Sequence, residues 1–163
     1  MFNSQSKRMK PQFGILTGIL FLFSCGGPAA KKDSATSPTL IEGTWKLVSG
    51  TTIVKNDTSF TDYTKNQEMI KVINATHFAF LRHDLLGGKD STAVFESGGG
   101  IYSLVNDQYT EHLQYCSQRE WEGHDFQFTV KVSNDTLIQQ GVEKVENAGV
   151  DRLIIERYAR VKK

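Results

Sequence analysis

The side chains able to do acid–base, nucleophilic or metal chemistry in this 163-residue chain are four histidines, two cysteines and scattered carboxylates. A zinc site needs three or four ligands converging at about 2.0–2.3 Å. His77, His83, His112 and His124 show no i, i+2 pairing on one run, and neither cysteine belongs to a Cys-x-x-Cys. His83-Asp84 and His124-Asp125 have dyad composition, but adjacent strand residues point to opposite faces, so neither makes an oriented pair. Gly-x-Ser-x-Gly, a phosphate-binding glycine loop and His-Glu-x-x-His are all missing from the sequence. The expectation is a protein without catalytic residues, metal or cofactor. A small barrel enzyme using Glu111 and a histidine is a minor alternative.

Polar residues on apolar faces carry more information. By strand parity Arg82 follows Phe78 and Phe80 inward, Glu111 lies between Tyr109 and Leu113, and Glu156 lies between Ile154 and Tyr158. A buried carboxylate is costly unless paired, and Arg82 with Glu111 or Glu156 would supply the pairing. Such a group either orients a ligand's head group on a polar floor or forms an internal salt bridge in a filled interior. The expected ligand-binding lining is Phe78, Phe80, Arg82, Tyr102, Tyr109, Glu111, Tyr115, Phe126, Phe128 and Tyr158. Trp121, flanked by charges between two strong strands, is either a rim contact or a loop anchor.

These residues sit on runs of period two. Phe126, Phe128, Val130 and Val132 alternate with Gln127, Thr129 and Lys131, the pattern of an antiparallel sheet wetted on one side. Strands are expected near 41–50, 68–74, 76–83, 91–97, 100–106, 108–116, 124–133, 135–142 and 151–161. Turns are expected at Gly87-Gly88-Lys89-Asp90, Gly98-Gly99-Gly100, Asn106-Asp107, Asn134-Asp135 and Asn147-Ala148-Gly149. Only Thr61–Glu68 has room for a short helix. The fold class is all-β, a small antiparallel up-and-down barrel of about eight or nine strands over 40–163.

The N-terminus has the layout of a secretory signal: Lys7, Arg8 and Lys10 precede an apolar run from Phe13 to Phe23, too short to span a bilayer. Leu22-Phe23-Ser24-Cys25 resembles the bacterial lipobox. That resemblance implies a signal peptide over 1–24 and a Cys25 that is acylated and anchors the chain to a membrane, two or more acyl chains being needed for stable attachment. With Cys25 acylated, Cys116 has no intrachain disulfide partner. Residues 25–39 form a small, polar, proline-bearing tether. Gly26 and Gly27 follow the cysteine and the first charges are Lys31 and Lys32. Beside the resemblance to lipoproteins, that order favours an outer-membrane location facing the periplasm. Taking Lys7, Arg8 and Lys10 from 19 basic residues leaves 16 against 18 acidic, a balance of −2 with no clustered basic stripe, so nucleic acid is not an expected partner.

Ile41-Glu42-Gly43-Thr44-Trp45-Lys46-Leu47 opens the first strand with a Gly-x-Trp that resembles the lipocalin signature. The resemblance implies that Gly43 and Trp45 close one end of the barrel and that Arg160, on the last strand, packs over the indole. Thr76–Phe80, Gly100–Leu104, Tyr109–His112 and Asp135–Ile138 are similar to segments of uncharacterised lipocalin-like domains of bacterial lipoproteins. The function so implied is a membrane-anchored protein binding a small apolar or amphipathic ligand. The alternative is an envelope interaction or structural module with a filled barrel.

Overall fold

The computed structural model describes residues 38–162; the expected signal segment, Cys25 and the expected tether up to residue 37 lie outside the described residues. One helical turn, α1 (Pro38–Ile41), leads into nine strands: β1 (Gly43–Val54), β2 (Asp57–Asp62), β3 (Gln67–Ile73), β4 (His77–Asp84), β5 (Phe95–Val105), β6 (Gln108–Cys116), β7 (Asp125–Ser133), β8 (Thr136–Val145) and β9 (Val150–Arg160). The sheet order is β2-β1-β3-β4-β5-β6-β7-β8-β9, and β1 also pairs with β9. Eight strands therefore close an antiparallel up-and-down barrel and β2 is added to it. One edge of β1 is shared: Gly43–Lys46 pair with β3, and Ser49–Val54 pair with β2.

The expected turns at Asn106-Asp107 and Asn134-Asp135 join β5 to β6 and β7 to β8. Asn106 and Asn134 both adopt positive φ there, a conformation asparagine tolerates better than most side chains. The short helix expected over Thr61–Glu68 is absent. The Asp62 carboxylate instead accepts hydrogen bonds from the Thr64 amide and hydroxyl at 2.9 and 2.6 Å, turning a corner between β2 and β3. β1 is correspondingly longer than 41–50. Its hairpin with β2 escapes the period-two reading because Asp57–Phe60 is exposed on both faces.

Gly98-Gly99-Gly100 is not a hairpin turn. It lies inside β5, which is a single strand in place of the expected 91–97 and 100–106. The glycines let neighbouring strands approach: a Cβ on Gly99 would meet the Phe78 carbonyl oxygen at 2.6 Å, and one on Gly100 the His112 carbonyl oxygen at 2.0 Å. At this point Gly100 pairs with Leu113 and Gly99 with Tyr115, so Gln114 is an extra residue on β6. Such a bulge inverts the alternation beyond it. Val48 does the same on β1, between the pairs Leu47 with Tyr158 and Ser49 with Arg157.

The closed end is packed. Trp45, Leu47, Phe78, Tyr109, Phe128, Leu137 and Tyr158 are buried there, with Ile41 of α1 beneath. The Trp45 Nε1–H donates to the Ile41 carbonyl at 2.7 Å. The Arg160 guanidinium lies 4.0 Å from the indole centroid, as the resemblance implied, and donates to the carbonyls of Glu42 and Leu40, both at 2.7 Å. The stacking alone contributes about 0.5–2 kcal/mol. Gly43 is required by the same contact: its φ is +136°, and a Cβ there would sit 2.7 Å from Arg160 Nη1.

Candidate functional site

Above this floor the barrel holds a cavity of about 370 Å³. Its base is a buried charged node. Lys71 on β3 is 3% exposed, in register with Trp45 of β1 and Phe80 of β4. Its Nζ donates to Glu111 Oε1 at 2.7 Å and to Gln139 Oε1 at 3.0 Å. The rings of Tyr158, Phe78 and Tyr109 surround the ammonium, with centroids at 5.5, 5.8 and 5.9 Å. Desolvation of both charges is offset by this pairing and by the ring faces. Burial raises the pKa of the Tyr109 hydroxyl, and the adjacent Glu111 carboxylate raises it further.

Glu156 shares that level. It lies opposite Gln139 of β8 and Gly50 of β1. It accepts a 2.6 Å hydrogen bond from the Tyr158 hydroxyl. Burial pushes its carboxyl above the ordinary range. Lys71 and the Tyr158 hydrogen bond oppose that shift, whereas Glu143 and Glu111 add to it.

The upper walls carry two arginine–carboxylate pairs formed by directly opposed strand residues. Arg82 Nη1 reaches Glu96 at 3.0 Å, its Nε donates to Gln67 at 2.8 Å, and its guanidinium lies 5.5 Å from the Tyr63 ring. Arg152 Nη2 lies 2.6 Å from Glu143, and its guanidinium 5.5 Å from the Trp121 ring. Burial raises the Glu143 pKa, against the pull of Arg152. Trp121 stands on a 3-10 turn (Arg119–Trp121), packs on Phe126 at 5.7 Å and lines the mouth, so it is both a rim residue and a loop anchor.

Of the residues expected to line a site, Phe80, Arg82, Glu111, Phe126, Phe128 and Tyr158 border the cavity. Phe78 and Tyr109 lie in the packed core below it. Tyr102 is further toward the closed end, where its hydroxyl donates to the Asn74 carbonyl at 2.8 Å. Tyr115 is on the outer face, 69% exposed: the bulge at Gln114 turns it out and brings Cys116 to the cavity wall. Burial raises the Cys116 thiol pKa. The expected partner of Glu111 is also corrected. Arg82 pairs with Glu96, and Lys71 pairs with Glu111.

Sequence reasoning missed Lys71, Gln139, Glu143 and Arg152. Lys71 was legible in one way: counting by twos from Ile73 gives Lys71 and Met69 on one face. That signal is masked because Ile70 and Val72 make the opposite face apolar too. The histidines stay outside the cavity lining. His112 meets Asp125 across β6 and β7 at 2.7 Å on the outer surface, in place of either dyad suggested by adjacency. The arrangement can hold and orient a molecule with both apolar and hydrogen-bonding parts.

No protein-family model, curated protein or solved structure matches the chain.

Two outcomes follow from the buried charges. Lys71→Met leaves Glu111 buried and unpaired, so urea unfolding should show a loss of about 3–5 kcal/mol. Lys71→Met with Glu111→Leu should recover most of that loss. Glu156 contributes with the opposite sign. Its raised folded pKa means that the folded chain holds the proton to higher pH than the unfolded chain. Stability from this group is therefore full below the ordinary carboxylate range and is lost as pH rises toward the raised value. Glu156→Gln should raise the melting temperature at about pH 7.5, with the gain shrinking toward about pH 4. Lys71, Glu111, Glu143 and Tyr158 face the group in both proteins, so the difference isolates Glu156.

Proposed function

We propose that this chain is a lipocalin-like binding protein, held to a membrane through an acylated Cys25, that carries a small amphipathic molecule in the upper half of its barrel. The observation carrying this reading is the cavity of about 370 Å³ bordered by both aromatic and charged side chains above a plugged floor. Its volume is within the range of ligand pockets, about 300–1,000 Å³. Phe80, Leu113, Phe126 and Phe128 offer an apolar wall, while Glu156, Arg82 and Arg152 offer polar contacts. A filled barrel serving as an envelope interaction module fits this interior less well. The resemblance of Leu22–Cys25 to a lipobox supports the tether, the order Gly26, Gly27, Lys31 and Lys32 after it supports an outer-membrane location facing the periplasm, and the resemblance of Gly43, Trp45 and Arg160 to the lipocalin closure supports the lipocalin-like barrel.

Two measurements check the two halves of the reading. N-phenyl-naphthylamine, a neutral dye that brightens in apolar surroundings, should bind saturably with one dye per protein. Leu113→Trp, which fills the cavity from β6, should weaken that binding at least tenfold. Absence of saturable binding to the wild-type protein rejects the carrier. In cells, Cys25→Ser should abolish palmitate labelling and move the protein from the membrane to the soluble fraction. Unchanged membrane association and labelling reject the anchor.

A further inference from the structure

The charged side chains around the cavity do not balance. Below the mouth there are three cations, Lys71, Arg82 and Arg152. Each is committed to one carboxylate: Lys71 to Glu111, Arg82 to Glu96, and Arg152 to Glu143. Glu156 is a further carboxylate below the mouth and among the described residues makes no salt bridge; Glu120, which also borders the cavity without a salt bridge, is exposed at the rim. Its one hydrogen bond is from the Tyr158 hydroxyl, leaving lone pairs directed at the cavity unused.

Glu156 borders the cavity beside a residue without a side chain. Its neighbour on β1 is Gly50, brought onto the inner face by the Val48 bulge, and the Tyr63 ring closes over that glycine. A carboxylate partly withdrawn from water without a cation carries a cost, and a ligand that brings the cation relieves that cost on binding. We propose, resting on the carrier reading above, that Glu156 is the recognition group for a protonated amine. The ligand class is a small primary amine on an aromatic or apolar body, the ammonium paired to Glu156 and the body against Phe80, Phe126 and Phe128. The same excess of negative charge disfavours anionic amphiphiles such as fatty acids.

The test is displacement of N-phenyl-naphthylamine at neutral pH by three probes of one shape: naphthylmethylamine, naphthylmethanol and naphthoate. The amine should displace the dye at a concentration at least tenfold below that of the alcohol, with naphthoate the weakest. Glu156→Gln should erase the preference for amine over alcohol. The ratio of the two probes within one protein is the readout, so a change in overall affinity does not obscure it. Equal displacement by amine and alcohol in the wild-type protein, with the dye bound, overturns the amine assignment and leaves the carrier reading standing. An amine preference that survives Glu156→Gln overturns the role given to Glu156. Failure of the wild-type protein to bind the dye or any probe overturns both readings.

Discussion

The ammonium of Lys71 is the interaction on which the interior depends. It is buried at the middle of a closed barrel, where a lone charge would be costly, and it is satisfied from several strands at once. Glu111 comes from β6 and Gln139 from β8, and rings from β4, β6 and β9 close around it. Few arrangements of eight strands bring those groups to one point, so the node acts as a check on register as well as a contact. It also divides the barrel. Below it Trp45, Leu47 and Tyr109 fill the space; above it the side chains line a cavity.

Two bulges decide what that cavity contains. The extra residue at Gln114 removes Tyr115 from the interior and brings in Cys116. The extra residue at Val48 brings Gly50 inward beside Glu156, where the Tyr63 ring packs against it. The close approach permitted by Gly99 and Gly100 belongs to the same distortion. The upper and lower halves of one strand therefore follow different parities, and the open half is the one with the altered alternation.

The charges of the upper half are arranged to leave one carboxylate over. Arg82 and Arg152 each face a glutamate directly across the ladder and lean on an aromatic ring, which holds both guanidinium groups on the wall. Neither makes a salt bridge with Glu156. Below the rim, where Glu120 is exposed, the imbalance resides in that one side chain, whose partner in the fold is a neutral hydroxyl.

Much of the fold was legible from the sequence. Strict alternation in β7, asparagine-containing turns and the Gly43–Trp45 opening with Arg160 near the end each reflect a local rule, and each holds in three dimensions. Inward parity for Phe80, Arg82, Glu111 and Glu156 was legible for the same reason: a regular strand determines it without knowledge of its neighbours. What only the tertiary structure decided depends on neighbours. Whether three glycines bend back or let two strands approach, which cation meets Glu111, and on which face Tyr115 emerges are settled by register across strands far apart in sequence. A bulge is invisible to periodicity on one strand because it is a mismatch between two, and ion pairing inside a closed barrel is determined by where the ladders align.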